Sequence, residues 1–113
     1  MTIERTISII KPDATRKNVI GDILNMIEEK GLKIIGAKMV VFNKKEAEEF
    51  YKEHKDRSFF NELVNYICSG PVLITCLEGE EAIIKNRKLM GETDPRRASE
   101  GTIRKIYGED IKA

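Results

Sequence analysis

Three apolar strand patterns are separated by amphipathic helical ones along this chain, and that alternation restricts the fold more than any other feature. Ile3 to Ile10 is rich in Ile with Thr6 and Ser8 interleaved, the period-two signature of a strand. It stops at Lys11-Pro12-Asp13, because Pro12 has no N–H for a ladder and biases Lys11 away from helical geometry. Ile20, Ile23, Leu24 and Ile27 then form a helical stripe that Gly31 terminates. Leu32 to Phe42 reads as a second strand. Asn43 and Glu46 have capping-box spacing and open a short helix running to about Lys52. Phe59, Phe60, Leu63, Val64 and Ile67 mark another helix over Phe59 to Cys68, ended by Ser69-Gly70-Pro71.

Val72 to Leu77 is the third strand pattern, and Gly79 reads as a turn. Glu80 and Glu81 open the next helix and Lys85, Arg87 and Lys88 close it, each complementing the helix dipole at its own end. Gly91 stops it. Glu92 to Gly101 reads as a polar loop, and Gly101 to Ala113 shows no strong period. The order β, α, β, α, α, β, α in 113 residues predicts one domain, residues 1–113, with a ferredoxin-like βαββαβ sandwich and an antiparallel sheet. That arrangement needs a fourth strand. None is legible after Gly101, so the fourth strand is expected to be missing or incomplete and the domain truncated at its C-terminus.

Charge narrows the partners. Twenty Lys and Arg against nineteen Asp and Glu leave a net charge of +1, without the basic excess of a protein that coats nucleic acid. A nucleic-acid platform on such a sheet would also expect aromatic residues on the central strands. Here they carry Ile, Val and Leu, with Phe42 only at an end. No specific nucleic acid is therefore expected. No stretch is long enough to span a bilayer and Met1 to Arg5 does not resemble a signal peptide, which predicts a cytoplasmic chain away from membranes. Cys68 and Cys76 have neither metal nor redox spacing and read as buried free thiols.

Several residues suit phosphate chemistry, though each has an ordinary reading. Lys11 is either a solvated strand-end charge or an ammonium held in place by the Pro12 turn. Arg87 is either a helix-end cation or a phosphate fork, and Arg104 follows Gly101-Thr102-Ile103. Thr93 has no obvious packing role. Together, two guanidinium forks, an ammonium and a hydroxyl are what a polyphosphate tail requires. Neither a P-loop nor a protein-kinase motif set is present.

Five stretches in register are more specific: TISIIKPDA, EHKDRSFFNELV, YICSGPV, LEGEEAIIKNRKLMGETDP and GTIR. In order and spacing they resemble the signatures of the nucleoside diphosphate kinase family, over essentially the whole chain from Arg5 onward. The resemblance implies that Lys11 contacts phosphates and ribose, that Arg87, Thr93 and Arg104 hold phosphate oxygens, and that Phe59 lies against the base. Stacking tolerates any base, which suits indifference to nucleotide identity. By pattern alone Phe59 is better read as core. Tyr51 resembles the tyrosine that positions the nucleophilic histidine, against the plain reading of a half-buried surface aromatic.

The implied reaction passes the γ-phosphoryl group of a nucleoside triphosphate such as ATP to a nucleoside diphosphate, through phosphohistidine in ping-pong order. Mg²⁺ would arrive with the nucleotide, with no metal ligands in the chain. A homo-oligomer, hexamer or tetramer, is also implied. The family nucleophile lies in an Asn-x-x-His-Gly-Ser-Asp segment after GTIR, so it is expected beyond Ala113 and no catalytic residue falls within the chain. His54, the single histidine, occupies a stretch where the family has no nucleophile. The chain alone is expected to be inactive, and the alternative is a non-catalytic nucleotide-binding or assembly subunit. Ser58 and Glu100 stand where the family has proline, and Ile106-Tyr107 where Asp-Phe is frequent. The lost prolines predict a looser segment from Glu92 to Ala113.

Overall fold

The computed structural model describes residues 2–91 and 101–107. The strands are β1 (Ile3–Ile10), β2 (Lys33–Val40) and β3 (Val72–Glu80). The helices are α1 (Pro12–Arg16), α2 (Ile20–Glu29), α3 (Lys44–Phe50), α4 (Phe60–Ile67), α5 (Ala82–Met90) and α6 (Ile103–Tyr107), with a 3₁₀ turn at Lys52–His54. The sheet runs β1-β3-β2, and β3 is antiparallel to both neighbours. β1 and β2 thus lie parallel, joined through α2, with β3 inserted between them. This split βαβ unit is the ferredoxin-like arrangement expected from the pattern. The described residues contain three strands.

Each sheet face has its own core. Ile10, Leu73 and Leu77 pack with Ile23, Ile27 and Leu32 of the α2 region and with Leu89 and Ile103. Val72 packs with Ala47 and Tyr51 of the α3 region and with Val64 and Ile67 of α4. The second cluster covers only one end of its face, reaching Ile9 and Ile74. Ile3 and Ile7, farther back along β1, remain 63% and 62% exposed. Ser8 is buried instead. Its carbonyl accepts from Thr75 Oγ1 at 2.7 Å, which satisfies a hydroxyl in an otherwise apolar layer.

Several local expectations are corrected. β3 continues to Glu80, and Gly79 pairs with Glu4 instead of turning the chain. Gly79 belongs there because an added Cβ would come within 3.1 Å of Leu32. Glu80 is the last strand residue and Glu81 caps α5 in the left-handed region at φ 52°. The helix end gains Glu4 Oε1 as acceptor for Ile83 N at 3.3 Å. Two five-residue helices, α1 and α6, were not legible. Cys68 and Cys76 are free and half-buried rather than buried. The expected polar loop from Glu92 lies, up to Glu100, outside the described residues, as do the terminal residues 108–113.

Candidate phosphate-binding site

The site is built where β1 ends. Pro12 opens α1, and Lys11 caps it with extended backbone (φ −88°, ψ 171°). The Lys11 carbonyl accepts from both Ala14 N and Thr15 N at 3.1 Å. Proline is suited to this position because its fixed φ is helical and the missing N–H would be an unpaired helix-end donor anyway.

The turn is then tied to the segment after α4. Thr15 Oγ1 donates to Pro71 O at 2.7 Å, and an Arg16 guanidinium nitrogen donates to Ser69 Oγ at 3.0 Å. Asp13, 6% exposed, accepts from the Tyr66 hydroxyl. Burial, reinforced by that carboxylate, pushes the Tyr66 hydroxyl well above the ordinary tyrosine range. It remains a neutral donor. Three ties on a two-turn segment leave Lys11 little backbone freedom.

A second cation meets the first. Burial lowers the Lys11 ammonium below its ordinary value, and the nearby Arg104 guanidinium lowers it further, against a smaller opposite pull from Asp13. Arg104 is itself lowered by burial. One of its terminal nitrogens donates to Gly91 O at 3.1 Å, while its Nε is buried without a partner. Two partly desolvated cations within electrostatic reach of each other are suited to an anionic ligand.

An aromatic wall follows α3. Tyr51, His54 and Phe59 follow one another across the 3₁₀ turn, with ring centroids 6.3 Å apart for Tyr51–His54 and 5.7 Å for His54–Phe59. Phe59 caps α4 and is 41% exposed. The core reading of its pattern is therefore corrected, and Phe60 is the one that packs inward. Tyr51 is buried, with its hydroxyl raised by that burial, and not a half-buried surface ring. Its field also raises Tyr66, which links the wall to the Asp13 turn.

Among the described residues, the buried polar atoms without a partner are Tyr51 Oη, His54 Nδ1, Asn86 Oδ1 and Arg104 Nε. Three of the four belong to this wall and rim. Such orphans are uncommon in native interiors and concentrate where a ligand completes the hydrogen bonding.

The structure thus brings Lys11 and Arg104 together and aligns Tyr51 with Phe59. Arg87 is exposed in the last turn of α5, where its carbonyl accepts from Gly91 N at 3.0 Å. Thr93 lies outside the described residues. Sequence reasoning gave Asp13, Tyr66 and Gly91 no part in the site, reading Gly91 only as a helix stop, and left His54 as a neighbour. The Asp13–Tyr66 contact spans 53 positions, so no local pattern could reveal it.

Comparison with known proteins identifies the family and the fold. Residues 4–113 match the family model described as nucleoside diphosphate kinase. A nucleoside diphosphate kinase of Bdellovibrio bacteriovorus is 55% identical over 98% of this chain and 79% of that protein. One of Delftia acidovorans is 58% identical over 100% of this chain and 80% of that protein. The solved Aquifex aeolicus nucleoside diphosphate kinase superposes with a TM-score of 0.93 at 41% identity, covering 98% of this chain and 81% of that one. The Halobacterium salinarum enzyme, solved in complex with CDP, also gives 0.93, at 44% identity and 98% and 73% coverage. The chain belongs to the nucleoside diphosphate kinase family of phosphotransferases.

Proposed function

We propose that the rim formed by Lys11 and Arg104 binds the phosphates of nucleoside di- and triphosphates during γ-phosphoryl exchange. The observation that carries this reading is the proximity of two partly desolvated cations, both lowered by burial and Lys11 further by Arg104, with the Arg104 Nε buried without a partner. An incoming polyphosphate converts that repulsion into charge-assisted hydrogen bonds. Arg104 offers a fork and Lys11 a point charge, so orientation and neutralisation are divided between them. Arg87 and Thr93 add further donors to the phosphates.

Phe59 supplies a face for the base, and an unspecific stack suits exchange among nucleotides. His54, whose buried Nδ1 has no partner, contributes a hydrogen-bonding group between stack and phosphates. The Tyr51 hydroxyl, likewise unpartnered, would position the histidine that accepts the phosphoryl group. That histidine attacks the γ-phosphorus, the bond to the β–γ bridging oxygen breaks, and the nucleoside diphosphate leaves. The second diphosphate then takes the phosphoryl group from nitrogen. Mg²⁺ would arrive with the nucleotide and would neutralise charge on its phosphates.

CDP in the Halobacterium relative supports a diphosphate as ligand. Exposed Ile35, Met39 and Val41 on or beside β2 support a homo-oligomer of this single domain. Phosphoryl exchange between ATP and CDP tests the reading. The protein is expected to bind ADP and to exchange in ping-pong order. Exchange without a phosphoenzyme intermediate would overturn the ping-pong reading. ADP binding by the natural protein without exchange would support the non-catalytic alternative.

A further inference from the structure

We propose that Gly91 is a positioning residue for the phosphate-binding arginine, holding Arg104 through its carbonyl and through close packing with Thr102. This rests on the reading of Arg104 as a phosphate ligand. Gly91 ends α5 with φ 85° and ψ −175°, a combination that essentially only glycine adopts. The conformation sends its two backbone polar groups to two arginines. Its N–H donates to Arg87 O at 3.0 Å, and its carbonyl accepts from the Arg104 guanidinium at 3.1 Å.

Close packing fixes the same junction from the other side. A Cβ on Gly91 would lie 2.7 Å from Thr102 Oγ1, 2.8 Å from its Cβ and 3.1 Å from its Cγ2. Thr102 has little room to yield. It is buried, and its carbonyl accepts from Ile106 N at 3.1 Å, closing the first turn of α6. Arg104 follows within that turn. Any side chain on Gly91 therefore displaces the start of α6, and with it the guanidinium whose buried Nε is left for a ligand.

A separate glycine provides the control. Gly31 also has positive φ, at 83°, but an added Cβ would meet nothing within 4 Å. Gly31→Ala carries the backbone strain of a positive-φ alanine without the collision and far from the arginines. Calorimetric titration of the natural protein with ADP and with adenosine, which lacks phosphates, separates positioning from general damage. Gly91→Ala is expected to weaken ADP by about tenfold or more while adenosine changes by less than about twofold. Gly31→Ala is expected to leave both affinities unchanged.

Thr102→Gly removes the packing partner at a helix start that tolerates glycine, and it serves if Gly91→Ala does not fold. It is expected to weaken ADP by roughly threefold or more with adenosine unchanged. The inference is overturned if a folded Gly91→Ala protein binds ADP normally or loses ADP and adenosine equally. It is likewise overturned if Thr102→Gly loses neither when it is the variant in hand. Normal ADP binding by Arg104→Gln would instead remove the phosphate reading itself.

Discussion

The layer beneath α2 and the rim at the end of β1 solve opposite problems within a few residues of each other. Beneath α2, Ile23, Ile27, Leu32 and Leu77 are buried against one another, and the Thr75 hydroxyl among them is bonded to a backbone carbonyl. At the rim, Lys11 and Arg104 face each other partly desolvated, and buried atoms of Tyr51, His54 and Arg104 have no partner. The first region stabilises the fold without a ligand. On the proposed reading, the second keeps hydrogen-bonding capacity for a phosphate ligand, at some cost in stability.

If that division is right, substitutions in the two regions separate stability from binding. The largest stability effect is expected from Ile27→Ala, at a fully buried position. Denaturant unfolding should show a loss of about 2–5 kcal/mol, with ADP affinity of the folded protein unchanged. A comparable loss of ADP affinity in folded protein would break the comparison.

Lys11→Gln and Arg104→Gln should do the reverse. Losing one charge-assisted contact costs about 1.5–3 kcal/mol of binding, roughly 10–100-fold in ADP affinity. Unfolding free energy should hold, because burial already opposes the charge on both side chains. The Lys11 value also has a pH consequence. With its folded-state value below the ordinary one, the unfolded chain holds the extra proton in the window between them, so this contribution to stability rises with pH there. ADP affinity falls over the same window as the ammonium loses its charge. Lys11→Gln should flatten both changes.

Tyr66→Phe sharpens the boundary, since it removes the donor to buried Asp13. An unfolding loss of about 1–3 kcal/mol is expected from the stranded carboxylate, with weaker ADP binding because the Lys11 turn loosens. The smallest effect is expected from Asn43→Ala, which dismantles the α3 capping box. About 1 kcal/mol of stability should be lost, with ADP affinity untouched.

What was legible in the sequence follows the range of the interactions. The capping box at Asn43 and the stripe from Ile20 to Ile27 depend on neighbours within one or two turns, and both are present. Gly79 misled because glycine is a turn residue in isolation, whereas here it lies in a strand where an added Cβ would crowd Leu32 at 3.1 Å. Helices α1 and α6 are five residues each, too short to display a 3.6-residue period. Phe59 and Phe60 are adjacent and chemically alike, and only the start of α4 decides which turns outward. Lys11 and Arg104 could be selected as phosphate residues by type and by family resemblance. Their mutual approach, and the Gly91 carbonyl that holds one of them, arise from contacts across the fold.

The most direct test of the central claim is calorimetric titration of ADP into the 113-residue chain and its Arg104→Gln variant, with thermal unfolding recorded for both. The account predicts saturable one-to-one binding by the parent, at least about tenfold weaker binding by the variant, and a variant no less stable than the parent. Equal affinities, or a variant that loses stability in step with affinity, would contradict the claim that this rim is reserved for phosphate.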